Sequence, residues 1–281
     1  MWQIYTVFTD AAQPKPYTHQ KAQRRQANAV GGEMGYGGTT MSGTEVVVEA
    51  FTELAPHYQA TMDRELRQFW GLTYKEFIRR LIGAAAVKPG ESVLDLATGT
   101  AMLPRVLLSR ADKCSRVIGL DITPAMLRQA HEAMRGTGLA ARLGLLCGSA
   151  MALPLAAGTF DVALCGLGTH HMDVPAMLSE ARRVLKAGGR LVVSDVGASA
   201  FWRSIWGKAL LRLLLLRYGL TQRSARARAE VEAFPNVRTA SEWQRTLADN
   251  DFGGIEISET LAHRPWYPCG LTIKATAGAA G

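Results

Sequence analysis

The residues best placed to bind a ligand lie in a short segment that follows a buried apolar run. Asp95–Ala101 reads Asp-Leu-Ala-Thr-Gly-Thr-Ala. Small residues let a ligand lie against the backbone where a strand turns into a helix. The next apolar run ends at Asp121, whose carboxylate can accept hydrogen bonds from the hydroxyls of a ribose. The pattern predicts a site for an adenosine-containing ligand.

A nicotinamide-dependent oxidoreductase is the alternative reading of this turn. Such an enzyme uses Gly-x-Gly-x-x-Gly to seat a pyrophosphate on the helix N-terminus. The chain has Ala97, Gly99 and Ala101 instead, with one glycine of the three. The spacing therefore favours an adenosine ligand without a pyrophosphate, and S-adenosyl-L-methionine fits that description.

A histidine pair, His170-His171, follows another strongly apolar run and precedes a helical pattern. Because imidazole titrates near neutral pH, either ring is a candidate general base for a methyl acceptor. The alternative is that one ring packs in the core while the other is exposed. Metal ligands at fixed spacing are not evident, since only Asp173 is near, and no metal is predicted.

The surrounding pattern predicts an α/β fold. Apolar runs alternate with amphipathic helical stripes, which indicates a parallel sheet covered on both faces. We expect a Rossmann-like, mostly parallel seven-stranded sheet with a C-terminal antiparallel β-hairpin. The predicted strands are 92–97, 116–121, 142–147, 160–167, 190–196, 254–260 and 270–276, and the predicted helices include 102–111, 124–134, 174–185 and 241–252. Thr123 and Asp173 are expected to cap the helices that follow them.

Four segments in this order resemble the class I S-adenosylmethionine-dependent methyltransferases: VLDLATGTA, GLDITPAML, GSAMALPLAAGTFDVAL and RVLKAGGRLVVSDV. The chain is most similar to the ubiquinone/menaquinone C-methyltransferase group. That group has a similar turn and a preceding Phe-x-x-x-Ala-x-x-Tyr segment, here Phe51–Tyr58. The resemblance covers about residues 46–196. It implies the fold above, S-adenosyl-L-methionine as cofactor and a methyl-transfer activity.

The resemblance also implies roles for individual residues. Residues at the methionine end of the cofactor would be Asp95, Ala97, Thr98, Gly99 and Thr100. Asp121 would hold the ribose and Ile122 would pack on the adenine. The adenine edge would be bounded by Ser149 and Ala150, and the sulfonium by Gly166 and Leu167.

The chain departs from the pattern of the quinone enzymes at three positions. Ala101 replaces a glycine and is expected to add a methyl group close to the ligand. Ser149 replaces an Asp or Asn and would contact the adenine amine less directly. His170-His171 stand where those enzymes have Arg-Asn.

Charge is concentrated in one segment. The net charge is +8, and residues 198–238 hold eight basic and two acidic residues, so the rest of the chain is nearly balanced. A nucleic-acid partner is therefore not expected. Within this segment, residues 202–218 form an apolar stretch with a basic stripe at Lys208 and Arg212. It is read as a lid over an apolar acceptor or as a helix on anionic lipid, with a core-packing helix as the alternative.

The remaining composition indicates a globular chain. Four cysteines without a Cys-x-x-Cys pair fit a reducing compartment and small core residues, and no uncharged stretch is long enough for a transmembrane helix. We expect a cytoplasmic protein, with peripheral membrane contact through 202–218 as the variant. The expected division is a mobile extension 1–40, a helical cap 41–90, a cofactor-binding core 91–196, a basic insert 197–239 and a C-terminal helix and hairpin 240–281.

These observations predict methyl transfer from S-adenosyl-L-methionine to a small apolar acceptor, such as a quinol or phenol, by C- or O-methylation. An oxidoreductase and a non-catalytic cofactor-binding module stay open as alternatives. The sequence does not name the acceptor or the oligomeric state.

Overall fold

The computed structural model describes residues 43–109, 114–198, 225–264 and 266–278, and single positions between 201 and 213. The predicted extension 1–40 and most of the segment 202–218 lie outside the described residues. Two side chains at the start of the second strand, at 114 and 115, are also outside them.

Seven strands form one sheet in the order β3-β2-β1-β4-β5-β7-β6. Strands β1 to β5 pair in parallel, and β7 pairs antiparallel with both β5 and β6. The strands are β1 Glu91–Leu96, β2 Cys114–Asp121, β3 Leu143–Cys147, β4 Phe160–Gly166, β5 Leu185–Gly197, β6 Phe252–Thr260 and β7 Cys269–Ala277. The strand order reverses between β1 and β4, which is where open α/β sheets bind ligands.

Eight α-helices lie within the described residues. They are α1 Gly43–Leu54, α2 Tyr58–Trp70, α3 Tyr74–Ala85, α4 Met102–Leu108, α5 Pro124–Met134, α6 Val174–Val184, α7 Ala225–Ala233 and α8 Ala240–Ala248. The break between α1 and α2 is a 3-10 turn, Ala55–His57, that contains Pro56. The predicted helical region before β1 is therefore divided where its proline predicts.

Local capping explains several helix starts. Thr73 and Thr239 form capping boxes with Glu76 and Glu242. Asp173 caps α6 as predicted, by accepting a hydrogen bond from the Ala176 amide at 3.1 Å. Thr123 is the N-cap residue of α5 as predicted, with Pro124 at the start of the helix, but its side chain makes no capping hydrogen bond.

The sheet carries a core on each face. One face packs against helices α2 to α5 through side chains such as Leu81 and Leu107. The other packs against α6 and α8 through Met177, Leu178 and Trp243, which are almost completely buried. Burial of both faces is the reason that the parallel strands have continuous apolar sequences.

Most predicted boundaries lie within two residues of those in the structure, and three differ by more. Helix α4 ends at Leu108 and α8 at Ala248, earlier than the apolar patterns suggested. Strand β5 begins at Leu185, not at 190, because Leu185 already pairs with Phe160 across a register shift in β4. Gly188, with φ of 72°, belongs to this irregular start of the strand.

A two-helix cover lies over the edge where β1 to β5 end. Helices α1 and α7 pack through Val46, Ala50, Ala225 and Ala229. An ion pair between Arg228 and Glu49, at 2.9 Å, joins the two helices. In the part of the chain that the structure describes, no helix is both long and apolar enough to cross a membrane.

Candidate active site

The turn after β1 is shaped by three left-handed residues. Ala97, Gly99 and Ala101 have φ values of 53°, 54° and 57°. This conformation costs an alanine about 1–2 kcal/mol, so two of the three positions hold strain that the surrounding fold must offset. Ala97 and Gly99 line a cavity. Ala101 instead lies fully buried in the core, so the expectation that its methyl group approaches the ligand is wrong.

Asp121 ties two loops together at the end of β2. Its Oδ2 accepts a hydrogen bond from the Gly99 amide and its Oδ1 accepts one from the Thr123 amide, each at 2.8 Å. The side chain lines the same cavity although the residue is only 7% exposed. It is therefore not a solvated surface acid. Burial raises the pKa of Asp121, and the backbone amides oppose that rise.

Four of the residues predicted to touch the cofactor do not line this cavity. Asp95 is buried and accepts a hydrogen bond from the Thr98 hydroxyl at 2.6 Å. This contact holds the turn on the side that faces away from the cavity. Burial raises the pKa of Asp95 to about 7. The Thr100 hydroxyl accepts a hydrogen bond from Gln59 at 3.0 Å, and Gly166 faces Leu81 on α3.

The other predicted residues meet around one space. One cavity is lined by seven of them: Ala97, Gly99, Asp121, Ile122, Ser149, Ala150 and Leu167. The Ser149 hydroxyl accepts a hydrogen bond from the Met151 amide at 3.2 Å. The cavity also has side chains from the cover, Val47 and Phe51, so α1 forms part of its wall.

A second cavity lies beside the first and shares four lining residues with it. Its wall is mostly apolar and aromatic and includes Met62, Phe69 and Trp70. The residues common to both cavities are Phe51, Tyr58, Leu167 and His171. Leu167 has φ of 56°, a strained conformation for a bulky residue at the point where the two spaces meet.

Tyr58 and His57 have different environments. The Tyr58 ring is buried and lies edge-on to Tyr74, with centroids 5.9 Å apart. Burial raises its pKa well above the usual range, with Tyr74 adding to the effect. His57 is exposed. Tyr58 therefore forms part of the cavity wall, whereas His57 lies at the surface.

His170 lies on the wall of the second cavity and is paired with an acid. Its Nδ1 is 2.8 Å from Oδ1 of Asp195, on β5. Asp195 is fully enclosed and also accepts hydrogen bonds from the Thr169 and Val196 amides, each at 2.7 Å. Burial lowers the pKa of His170, but the charge and hydrogen bond of Asp195 outweigh it, so the net shift is upward.

His171 has a different setting, although it lies with His170 in one 3-10 turn, Thr169–His171. Its ring stands edge-on to Phe51 at 5.2 Å and lies 4.2 Å from the His170 ring. Burial, followed by the neighbouring His170, lowers its pKa well below the usual range. Its Nδ1 is buried and has no hydrogen-bond partner among the residues that the structure describes.

Sequence reasoning missed the charged groups that complete the second cavity. Arg226 on α7 pairs with Glu65 on α2 at 2.6 Å, and Glu230 lies one helical turn further along α7, 3.7 Å from Arg226. Asp195 was quoted only as part of a strand. An acid at the carboxyl end of a buried strand, like Asp121, was the signal available for it. No local pattern marks Glu230 or Glu65, because they come from distant helices.

The cysteine prediction holds in part. Cys165 and Cys269 are buried and free, whereas Cys147 at the end of β3 is exposed.

Comparison with known proteins places this site in a family. Residues 39–202 match the ubiE/COQ5 methyltransferase family, and the chain belongs to it. This confirms the predicted class of protein, the S-adenosylmethionine-dependent methyltransferases of class I fold, and the cofactor predicted with it.

Two curated relatives are 34% and 31% identical to this chain over the aligned residues. The chain is 34% identical over 150 residues to a demethylmenaquinone methyltransferase of Lactobacillus johnsonii, covering 53% of this chain and 60% of the relative. It is 31% identical over 159 residues to a ubiquinone/menaquinone biosynthesis C-methyltransferase of Legionella pneumophila, covering 55% and 61%. The chain thus spans about three-fifths of the length of these relatives.

Solved structures confirm the predicted fold. The structure of the [4+2]-cyclase SpnF has a TM-score of 0.64 at 15% identity, covering 86% of this chain and 98% of that one. Geranyl diphosphate C-methyltransferase of Streptomyces coelicolor, solved with S-adenosyl-L-homocysteine, has a TM-score of 0.56 at 16% identity, covering 78% and 84%. At these identities the likeness concerns the fold alone.

Proposed function

We propose that this chain transfers a methyl group from S-adenosyl-L-methionine to an apolar acceptor that carries an acidic O–H or C–H group, such as a quinol or a phenol. One observation carries the proposal: two cavities at the switch point of the sheet share a wall, and the second has a His170–Asp195 pair beside it. A donor and an acceptor can therefore meet at Leu167 and Tyr58.

In the proposed complex the cofactor occupies the first cavity. Asp121 accepts hydrogen bonds from the ribose hydroxyls with lone pairs not used by Gly99 and Thr123, and Ile122 packs on the adenine. Ser149 and Ala150 bound the adenine edge. Asp95, Thr98 and Thr100 act behind the turn, since their contacts hold its shape and do not reach the cavity.

The acceptor occupies the second cavity in this proposal. Its aromatic and aliphatic wall favours an apolar body, since burying apolar surface yields about 25 cal/mol per Å². Two of the relatives are named as menaquinone or ubiquinone methyltransferases, which supports an acceptor of quinol type. By the resemblance described above, His170-His171 stand where the quinone enzymes have Arg-Asn, so this part of the acceptor wall differs from theirs.

The transfer itself is an in-line displacement. The bond between the sulfonium and its methyl carbon breaks as the acceptor carbon or oxygen bonds to that carbon, and the donor leaves as a neutral thioether. Because the donor is already activated, the protein mainly aligns the two reactants and keeps water out. The proton that the acceptor loses passes to Nε2 of His170.

His170 is better suited than His171 to accept that proton. Asp195 accepts the hydrogen bond from Nδ1–H, which fixes the tautomer that leaves Nε2 basic and stabilises the charged ring that forms. His171 lacks such a carboxylate, and burial disfavours its protonation. Both were candidate bases on sequence alone.

The test is a screen of quinols, phenols and other acceptors, with S-adenosylhomocysteine release and product mass as readouts. Release that requires an acceptor and falls in a His170→Ala variant supports the proposal. A protein that binds the cofactor but releases nothing with any acceptor would support a non-catalytic binding module instead.

We also propose that the segment 202–218 contacts the apolar acceptor or an anionic membrane. Three described side chains in and beside it, Phe201, Ile205 and Leu213, are exposed, which supports an apolar surface there. Replacing Lys208, Arg212 and Arg217 by Gln should weaken binding to anionic vesicles and leave cofactor affinity unchanged. Binding absent at any salt concentration would leave the lid role.

A further inference from the structure

We infer that His170, His171 and Glu230 form a binding site for a divalent transition-metal ion of the zinc type at the edge of the second cavity. One ligand atom from each residue, a ring nitrogen or a carboxylate oxygen, lies within 4.8 Å of the other two. All three residues line this cavity. Small side-chain adjustments bring such a set to metal–ligand distances of about 2.0–2.2 Å.

The surroundings of His170 match those of a metal-bound imidazole. Ligating histidines usually donate their other ring N–H to a carboxylate, which orients the ring and raises its basicity. The 2.8 Å contact from Nδ1 to Asp195 supplies that partner and leaves Nε2 as the ligand atom.

His171 provides an independent observation. Its Nδ1 is buried and has no hydrogen-bond partner among the described residues. A buried polar atom without a partner is costly, and a metal ion is one of the groups that would satisfy it. No other part of the site described above uses this nitrogen.

The charges around the site favour a cation. The described residues there include three carboxylates, Glu65, Glu230 and Asp195, and one guanidinium, Arg226. With neutral histidines, these groups leave two uncompensated negative charges beside an apolar cavity. A divalent ion would balance them.

The ligand set also indicates the class of ion and the character of the site. Two imidazoles and one carboxylate suit zinc, iron(II), cobalt(II) or nickel(II), whereas magnesium and calcium prefer oxygen ligands. Three protein ligands leave a coordination position open, as in catalytic sites and unlike closed structural ones. An acceptor oxygen could occupy that position, and the ion would then lower its pKa.

The ion and the proton compete for Nε2 of His170. The metal-free protein is thus the form in which His170 itself removes the proton. In the loaded form the ion would lower the pKa of the bound acceptor hydroxyl, and the proton would pass to solvent water. The inference uses the acceptor cavity of the proposed function, but ion binding can be measured without any acceptor.

Cobalt(II) is the probe, because its visible absorption reports imidazole and carboxylate coordination. Chelator-treated protein should bind one equivalent. His171→Ala and Glu230→Gln should each weaken binding at least tenfold. Glu232→Gln, an exposed position on the same helix, is the matched control and should bind as the parent does. Circular dichroism and urea denaturation of each variant verify its folding.

Absence of cobalt binding by the parent chain, or equal binding by the parent and Glu230→Gln, would overturn the inference. Methyl transfer by the chelator-treated parent is measured separately. Transfer without any metal binding overturns the ion site alone, whereas metal binding without transfer to any acceptor overturns the proposed function alone.

Discussion

Nδ1 of His170 lies 2.8 Å from Oδ1 of Asp195, and the contact joins the turn after β4 to the neighbouring strand β5. Asp195 accepts further hydrogen bonds from the Thr169 and Val196 amides, so its orientation is fixed by the backbone. The strand order thus places a rigid acid–imidazole pair at the carboxyl edge of the sheet, next to the cavity assigned to the acceptor.

The first prediction separates the two histidines. In chelator-treated protein, His170→Ala should lower kcat by about 10²–10⁴, since it removes the group that takes the proton. His171→Ala should lower kcat only a few-fold, because it removes packing against Phe51 but not the imidazole that takes the proton. Steady-state kinetics with calorimetric cofactor affinity as the control would decide this. Equal losses in both variants would contradict the assignment.

The second prediction concerns Asp121. Asp121→Ala should weaken S-adenosyl-L-methionine binding at least tenfold. The change removes the proposed ribose contacts, each charge-assisted bond being worth roughly 1.5–3 kcal/mol, and also the ties to Gly99 and Thr123. Isothermal titration calorimetry is the measurement. Asp249→Ala, at an exposed position, is the control and should bind normally. Unchanged affinity in Asp121→Ala would exclude this cofactor site.

Much of the sheet could be predicted from the sequence, because each parallel strand is buried on both faces and its sequence is therefore a continuous apolar run. The start of β5 could not be predicted, because Lys186–Gly189 lack that pattern and form an irregularity between the Phe160–Leu185 and Val162–Arg190 pairs. The antiparallel hairpin could be predicted because both of its strands are bounded by turn residues.

The site was predictable only where it follows the strand ends. Asp121 is the last residue of β2 and His170 lies in the turn that follows β4, so topology brings them to one edge. Glu65, Arg226 and Glu230 reach the second cavity from helices far apart in the sequence, and only tertiary packing reveals that. The direction of the Ala101 methyl group likewise depends on a left-handed backbone that the residue type does not suggest.

The third prediction tests a close approach in the cofactor turn. A Cβ at Gly168 would lie 2.8 Å from Cβ of Ala97, which is too close without a shift of one loop. Gly168→Ala should therefore weaken cofactor binding and destabilise the fold. Gly83→Ala is the matched control, since a Cβ there meets nothing within 4 Å in helix α3. It should leave binding unchanged and stabilise the protein by about 0.5–1 kcal/mol. Normal binding by Gly168→Ala would show that the turn is more adaptable than its contacts indicate.

The fourth prediction concerns the pH dependence of stability. Burial raises the pKa of Asp95 to about 7, from 3.8 when unperturbed. The fold therefore favours the protonated carboxyl. The contribution of this group to stability is complete below about pH 4 and is lost as the pH rises through about 7.

Asp95→Asn carries a neutral group at every pH, and its side-chain oxygen can still accept the hydrogen bond from Thr98. The free energy of unfolding of this variant, relative to the parent, should increase by a few kcal/mol between pH 5 and pH 8, since one pKa unit corresponds to about 1.4 kcal/mol. Urea denaturation at each pH measures the difference, in which the shared contribution of Asp121 cancels. A difference that stays constant over this range would show that Asp95 is ionised in the folded protein throughout, with the Thr98 hydroxyl and the local backbone compensating for its burial.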